Sequence, residues 1–355
     1  MPKTVIMIVA IIALAAGAAQ ADREFTFNQH NSFDAPAISM IKIDMPRGEI
    51  AVVKSSGQTI EVQYKNLIYA QDQAEADDIN KDYIYKAEQS GNTLNIKIEP
   101  PRHPRHKKGI INRIINNDWE DGNYPLLKVS VPDGKAFEIS SASADIEVTE
   151  LQIDLDIETA SSDIFIENTS GKFDCNLASG DVSIVGHRGP VFIKGVSSDI
   201  DLSDIEGDVN ATTASGDVEI DKVKGDARIT STSGDNRAYD IDGDLDSETT
   251  SGDTEINGVS GSVRVESISG DIRLGALSAT EGYFDVEAIS GDISMEVSRD
   301  FTGQVELSTV SGTINSRLSV DLDRYSDSQV SAKVGDGKGK LNVATTSGDI
   351  SIDRY

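Results

Sequence analysis

The chain has 355 residues, a formal net charge of −28 and a single cysteine. So acidic a balance argues against nucleic-acid binding, which depends on basic side chains that neutralise phosphates. One cysteine cannot form an intramolecular disulfide, so the stability of the fold must come from apolar packing and strand pairing.

Residues 1–21 have the pattern of a secretory signal peptide. Lys3 supplies the positive start, an apolar run extends from Val5 to Ala16, and Ala19-Gln20-Ala21 forms a small-residue cleavage site before Asp22. The apolar run is too short to span a bilayer. We therefore expect cleavage after Ala21 and an exported protein that is not transmembrane. It would be periplasmic, associated with the cell envelope or extracellular. An uncleaved membrane anchor is the alternative.

Residues 22–135 alternate between apolar and polar side chains in the manner of β-strands, without a regular repeat. Residues 71–81 are the one plausible helix, and Gly91 with Asn92 marks a hairpin turn. We expect this region to be a β-rich N-terminal cap, joined at Pro132-Asp133-Gly134 to the repeats that follow. A repeat array needs such a cap because its first coil is otherwise uncovered.

An insertion at residues 100–123 concentrates positive charge in this acidic chain. Loops of this length are usually functional or disordered. Arg102, Arg105, Lys107 and Lys108 make it a candidate anion-binding loop, for phosphate groups of an envelope glycan or for lipid head groups. The alternative is a solvated loop that folds back on acidic surface. A metal site at His103 and His106 is disfavoured because no third ligand is evident.

From residue 136 to 355 the chain repeats with a fixed short period, which is typical of a solenoid. Each repeat contains a Ser-Gly-Asp motif or a close variant of it, followed by apolar residues two apart, the period of a β-strand. A second glycine half a repeat away adds another turn. We predict an all-β fold, a parallel β-solenoid of two sheets with 18-residue coils. The repeated aspartates, some more widely spaced towards the C-terminus, are Asp145, Asp163, Asp181, Asp199, Asp217, Asp235, Asp253, Asp271, Asp292 and Asp349.

The aspartate column has two interpretations. The carboxylates could hydrogen-bond the free amides of each turn, as Asx turns do, or they could bind cations. The calcium-binding nonapeptide roll requires additional glycines that this chain lacks. We therefore predict a structural turn column that holds no metal.

The register of the apolar residues predicts which side chains face the core. Val218 and Ile220 should be buried, with Glu219 between them on the outside. Cys175 stands at an equivalent inward position and is expected to be a small core residue.

The chain resembles the bacterial putative-adhesin family of β-strand-repeat proteins, a domain of unknown function. The resemblance rests on the signal peptide, the Gly48-Glu49-Ile50 strand, the segment from Leu127 to Gly134, and the C-terminal segment from Thr346 to Ile352. It implies an exported or envelope-associated β-solenoid and brings no catalytic residues to this sequence.

Three functions compete. The first is a non-catalytic binding or structural protein of the cell envelope, an adhesin, whose partners are envelope glycans, lipid head groups or another surface protein. The second is a polysaccharide-acting β-helix enzyme, although repeated equivalent aspartates do not provide the unlike carboxylates that such catalysis needs. The third is an ice-binding face formed by one threonine column, which Leu177, Gly195 and Ser231 interrupt. The threonines of this column are Thr159, Thr213, Thr249, Thr309 and Thr345. The first is favoured, with no catalytic, cofactor-binding or metal-binding residue expected.

Overall fold

Nearly all regular structure is β-strand, as the two-residue apolar period predicts. The computed structural model describes residues 23–101, 124–318 and 321–355. The chain divides into two units, residues 1–169 and residues 170–355. The predicted signal peptide and the four basic side chains of the candidate anion-binding loop lie outside the described residues.

The first unit contains strands, a 3-10 helix at Ala35–Ala37 and the helix α1 at Gln73–Asn80, which lies within the predicted helical segment. Asp72 caps this helix by accepting a hydrogen bond from the Glu75 amide at 2.9 Å. The strands are β1 (Arg23–Asp34), β2 (Met40–Asp44), β3 (Arg47–Lys54), β4 (Thr59–Ala70), β5 (Ile84–Ser90), β6 (Thr93–Glu99), β7 (Tyr124–Val131), β8 (Lys135–Ser141), β9 (Ser143–Thr149), β10 (Ile153–Ser161) and β11 (Ile164–Ser170).

These strands form one sheet in the order β1-β4-β7-β3-β9-β11 and another in the order β5-β6-β2-β8-β10. The pairs β1–β4, β4–β7 and β5–β6 are antiparallel. The predicted hairpin turn at Gly91 and Asn92 joins the last of these pairs. By contrast, β2 pairs in parallel with β6 and β8, and β3 pairs in parallel with β7 and β9. Residue 135 is the predicted boundary between the N-terminal cap and the solenoid, and strands before and after it belong to the same sheets.

The second unit is the regular part of the solenoid. Its strands are β12 (Phe173–Ser179), β13 (Val182–Arg188), β14 (Val191–Ser197), β15 (Ile200–Glu206), β16 (Val209–Ser215), β17 (Val218–Lys224), β18 (Ala227–Ser233), β19 (Asn236–Asp242), β20 (Leu245–Ser251), β21 (Thr254–Val259), β22 (Val263–Ser269), β23 (Ile272–Leu277), β24 (Tyr283–Ser290), β25 (Ile293–Val297), β26 (Gly303–Ser311), β27 (Ile314–Ser316), β28 (Asp321–Ser326), β29 (Gln329–Val334), β30 (Gly339–Ser347) and β31 (Ile350–Arg354).

From β12 to β25, even-numbered and odd-numbered strands stack into two separate parallel sheets, whereas β29 pairs antiparallel with both β26 and β28. Val218 lies beside Ile200 and Ile220 beside Leu202, so each residue pairs with its equivalent one coil away. The order changes near the C-terminus, where the sheets read β23-β25-β31-β27 and β22-β24-β30-β26-β29-β28. The coil built from β30 and β31 therefore lies between two coils that precede it in sequence. These observations confirm the predicted all-β solenoid class.

The core consists of the inward residues of both sheets. Val218 and Ile220 are fully buried while Glu219 is exposed, which confirms the predicted register. Cys175 is also fully buried, as expected.

The glycines of the Ser-Gly-Asp corners are required by close backbone approach. Gly234 has φ of +142°, and a Cβ atom there would lie 2.0 Å from the carbonyl oxygen of Gly216. The same column admits Ser198, whose side chain is buried and which is not among the residues of positive φ. A small residue therefore suffices at some corners, whereas others depend on glycine.

Candidate functional site

The aspartate column forms a ladder of hydrogen bonds between coils. The Oδ1 atom of each of several aspartates accepts the main-chain N–H of the column residue in the next coil, rather than an amide of its own turn. In the second unit these bonds join Asp199 to Asp217 (2.9 Å), Asp217 to Asp235 (2.8 Å), Asp235 to Asp253 (2.9 Å), Asp253 to Asp271 (2.9 Å), Asp271 to Asp292 (3.0 Å), Asp292 to Asp349 (2.8 Å) and Asp349 to Thr313 (2.7 Å).

In the first unit, Asp145 accepts the amide of Asp163 at 3.3 Å. Asp163 and Asp181 also have interaction partners. The described residues contain no cluster of three or more His, Cys, Asp or Glu side chains that could hold a metal ion.

Two arginines neutralise part of the ladder. Arg237 contacts Oδ2 of Asp217 at 3.2 Å and Oδ2 of Asp235 at 2.6 Å. Arg273 contacts Asp253 and Asp271 in the same way. Both oxygens of these carboxylates are thus engaged, one by an amide and one by a guanidinium group. This arrangement holds neighbouring coils together and leaves these aspartates poorly suited to acid–base chemistry.

A second ladder runs along the opposite corner, where the half-repeat glycines stand. Asp208 accepts the amide of Asp226 at 3.1 Å, Asp226 accepts that of Asp244 at 2.9 Å, and Asp244 accepts that of Ser262 at 2.7 Å. The Gly-Asp pairs of the half-repeat were visible in the sequence, but their bonding role was not predicted.

A third column consists of residues in the left-handed conformation. Asp204, Lys222 and Asp240 have φ between +54° and +56° at successive coils, and they line a shallow cleft of about 320 Å³. Beside it, Glu206 accepts hydrogen bonds from Lys224 at 3.1 Å and Arg188 at 2.9 Å, which lower the pKa of its carboxyl group. The lining carries the carboxylates of Asp204, Glu206, Asp240 and Asp242 against the two ammonium groups of Lys222 and Lys224, so the cleft is acidic.

The most distinctive surface feature is an exposed column that we call the apolar row. Each member precedes the serine of a Ser-Gly-Asp motif or its variant, on the outer face of the sheet of even-numbered strands. The row comprises Ala178, Val196, Ala214, Thr232, Thr250, Ile268, Ile289, Thr346 and Val310, all exposed. The most exposed aliphatic members are Val196 (55%), Ile268 (49%), Ile289 (54%) and Val310 (80%).

The row is continuous because the strands are in register. Ser269 lies beside Ser290, Ser290 beside Ser347, and Ser311 beside Ser347. The residues that precede these serines therefore lie on neighbouring strands, near the C-terminal end of each. They are Ile268, Ile289, Thr346 and Val310.

A polar groove adjoins the row at its C-terminal end. It lies between β26, β29 and β30, has a volume of about 390 Å³, and is lined by Glu306, Ser308, Gln329, Ser331 and Asn342 together with backbone of the intervening residues. Ser308 and Val310 lie on the same face of β26, since residues two apart on a strand share a face. The groove and the apolar row thus meet on one strand.

Other sequence-based candidates have different outcomes. Thr213, Thr249, Thr309 and Thr345 are all buried. Their threonine column faces the core, so the hypothesis that it forms an ice-binding face is wrong. Arg102, Arg105, Lys107 and Lys108 cannot be placed, because they lie outside the described residues.

Sequence reasoning missed both the apolar row and the groove. The row could have been found by noting Ile268, Ile289 and Val310 at an outward position of the repeat.

In the part of the chain that the structure describes, every helix is too short or too polar to span a bilayer.

Solved structures that match this chain have low sequence identity to it. A putative cell adhesion protein from Clostridium sporogenes is 8% identical, with 94% of this chain and 100% of that chain covered and a TM-score of 0.25. A putative adhesin from Parabacteroides distasonis is 11% identical, with coverage of 76% and 96% and a TM-score of 0.40. A putative adhesin from Bacteroides fragilis is 14% identical, with coverage of 95% and 100% and a TM-score of 0.27. These likenesses are too weak to carry an argument about function, and no curated protein matches the chain.

The family comparison is decisive. A family model described as Toastrack DUF4097 matches residues 25–203 and again residues 189–353. The two matches cover nearly all of the described chain and confirm the family resemblance noted from the repeats. The chain belongs to the Toastrack DUF4097 family.

Proposed function

We propose that this protein is an exported, non-catalytic binding protein of the bacterial cell envelope, an adhesin that engages its partner through the apolar row. The observation that supports this proposal is the alignment of Ile268, Ile289 and Val310 on the outer face of one sheet. Ile268 and Ile289 lie on adjacent strands, and Thr346 separates Ile289 from Val310. Single exposed aliphatic residues are normal, but several aligned on one face are typical of an interaction surface.

The surroundings of the row strengthen this interpretation. Further along the same outer face the exposed positions carry charge, as where Arg228 pairs with Asp246 at 3.1 Å and with Glu248 at 2.7 Å. An apolar strip beside polar residues resembles the core and rim of a protein interface. The row also lies at the strand ends, beside the Ser-Gly corners, where a partner would meet small side chains.

Export is part of the proposal and rests on the N-terminal sequence. The charged start, apolar run and small-residue site predict removal of residues 1–21. Mass spectrometry of the protein from its native cells should find Asp22 as the first residue. A protein that retains Met1 and stays in the cytoplasm would contradict this part.

The alternative is a polysaccharide-acting enzyme. The bonding of the aspartate column disfavours it, because the carboxylates accept main-chain amides and several also pair with arginine. Incubation with a panel of polysaccharides, scored for new reducing ends, tests it directly. Turnover would favour the enzyme.

The binding role is tested by removing the row's apolar character. The triple variant Ile268→Ser, Ile289→Ser and Val310→Ser should keep its melting temperature, since all three side chains are exposed. Its binding to an envelope fraction of the producing bacterium should fall strongly, because the apolar contact area is lost.

Phe192→Ser is the matched control, since Phe192 is a partly exposed apolar residue on the same sheet outside the row, 37% accessible. It should bind as wild type does. A triple variant that binds the envelope fraction as well as this control would refute the role of the row.

A further inference from the structure

The polar groove beside the apolar row has hydrogen-bonding groups that the fold itself does not use. In the part of the chain that the structure describes, no side-chain partner is assigned to the Glu306 carboxylate or to the hydroxyls of Ser308 and Ser331. Elsewhere on this face, Arg228 pairs with Asp246 and Glu248, and Arg264 pairs with Glu266. The groove therefore presents both acceptors and donors to a ligand.

Asn342 is held in place within the groove by an adjacent strand. Its Nδ2 donates to Oδ1 of Asp285 at 2.6 Å, and Oδ2 of Asp285 accepts the hydroxyl of Tyr283 at 3.1 Å. Both carboxylate oxygens of Asp285 are thus engaged. The Asn342 amide retains a carbonyl oxygen and a second N–H for a ligand, in a fixed orientation that lowers the entropic cost of binding.

The size and charge of the groove restrict its occupant. A volume of about 390 Å³ lies at the lower end of the range for small-molecule sites. None of its described lining residues is basic, and the chain carries a net charge of −28, so an anionic ligand would be repelled. An apolar ligand would leave Glu306 and the serine hydroxyls without partners, which is costly.

A neutral ligand rich in hydroxyl groups satisfies these conditions. Each hydroxyl both donates and accepts, so one such group can bond to a carboxylate and another to an amide or a serine. A sugar ring also has a C–H face, and Val310, two residues after Ser308 and 80% exposed, offers an apolar surface for it.

We propose that the groove binds a neutral oligosaccharide, with Glu306 and Asn342 as its main hydrogen-bonding residues and Val310 as its apolar contact. The inference rests on the proposed function and names the ligand class for it. The apolar row would then extend the contact along a longer glycan chain.

The experiment is calorimetric titration of the full chain with neutral hexasaccharides of β-linked glucose, β-linked mannose, β-linked xylose and α-linked glucose. At least one should bind. Glu306→Ala and Asn342→Ala should each weaken that binding by about tenfold or more, because each removes a hydrogen-bonding group from the site. Raising the salt from about 0.05 M to about 0.5 M should have little effect, since no ion pair is involved.

Glu287→Ala is the matched control. Glu287 is an exposed glutamate on β24, on the same sheet and outside the groove lining. This variant should bind as wild type does. The melting temperatures of Glu306→Ala and Glu287→Ala should match that of the wild type and so exclude a folding defect, whereas Asn342→Ala should melt slightly lower because it loses the hydrogen bond to Asp285.

The inference is overturned if none of the hexasaccharides binds, if Glu306→Ala binds as tightly as Glu287→Ala, or if binding collapses with salt. If no hexasaccharide binds but the triple row variant still loses binding to envelope material, only the ligand class is wrong. If the triple row variant binds envelope material normally, the proposed function itself fails.

Discussion

Individual buried polar residues show how far the core tolerates departures from the apolar pattern. Thr213 and Thr254 are both buried, and their hydroxyls have different environments. Oγ1 of Thr213 lies 3.2 Å from the carbonyl oxygens of both Ser198 and Ser215 and can donate its one proton to either, whereas Oγ1 of Thr254 has no hydrogen-bond partner among the described residues. A satisfied buried hydroxyl stabilises a fold modestly, and an unsatisfied one is a cost.

This difference predicts opposite effects of the same substitution. Thr254→Val should raise the free energy of unfolding by about 1 kcal/mol, because it replaces an unpaired buried hydroxyl with a methyl group of similar size. Thr213→Val should lower it by about 1 kcal/mol, because the hydrogen bond from the Thr213 hydroxyl to a main-chain carbonyl oxygen is lost. Denaturant unfolding of both variants measures the change. Equal shifts in the same direction would contradict the assigned bonding.

His187 predicts a loss of stability in acid. Its ring is 2% exposed beside Phe173, and burial lowers its pKa, while the contact of Nε2 with the Gly171 carbonyl at 3.0 Å opposes the shift. Because the folded-state pKa lies below the unfolded value of about 6.5, the unfolded chain takes up the proton first. The contribution of neutral His187 to the free energy of unfolding is constant above the unfolded-state pKa. It falls as the pH drops below that value, and it levels off below the folded-state pKa.

His187→Ile matches the neighbouring Ile205 of the same column and removes this titration. The melting temperature of the wild type should therefore fall more steeply than that of the variant as the pH is lowered from about 7 to about 5. Parallel pH profiles would show that His187 is not the group responsible.

At the scale of elements, the corner ladders join each coil to the next. The aspartate carboxylates accept main-chain amides of the following coil, and Arg237 and Arg273 each contact two of them. These bonds satisfy amides that the parallel ladder leaves free at the turns.

The ladders predict stability that does not depend on metal. Adding a chelator should leave the circular dichroism spectrum and the melting temperature unchanged, because amides and guanidinium groups occupy the carboxylates. A rise of several degrees in the melting temperature on adding calcium would revive the cation-binding interpretation.

The basic segment is the element whose role rests on sequence alone. We propose that Arg102, Arg105, Lys107 and Lys108 contact phosphate groups of envelope glycans or lipid head groups. Changing all four to serine should reduce binding to anionic vesicles at low salt without altering the melting temperature, since such exposed contacts are electrostatic. Unchanged vesicle binding would indicate a solvated loop.

At the scale of the whole molecule, the order of coils is the property that sequence did not reveal. Within the second unit, β30 pairs with β24 on one side and β26 on the other, and β31 pairs with β25 and β27. The C-terminal segment is thus an interior layer of its unit.

This topology predicts that the last strands are essential to their unit. Truncation after Lys338 removes β30 and β31 and leaves the inner edges of β24 and β26 unpaired. The truncated protein should show a large fall in melting temperature and faster proteolysis of its C-terminal coils, because both apolar contacts and ladder bonds are lost. A truncated protein as stable as the full chain would contradict the interior placement.

The strand character, the inward and outward faces and the corner glycines can all be predicted from the order of the amino acids. These properties depend on the alternation of side chains along each strand and on the regular repeat from coil to coil, both of which can be counted along the chain. Val218 and Ile220 are buried where this alternation places them, and the family resemblance follows from the same repeats. The four basic residues and the signal peptide remain predictions.

Which coils are neighbours follows from the three-dimensional pairing of the strands. Coils with similar patterns can pair with one another about equally well, so the local repeat does not specify their order. The placement of β2 and β3 between later strands of the first unit, and of β30 and β31 between earlier strands of the second, results from non-local pairing. For the same reason the groove was invisible in the sequence: Glu306, Gln329 and Asn342 are far apart in the chain, and they meet because β30 and β29 both pair with β26.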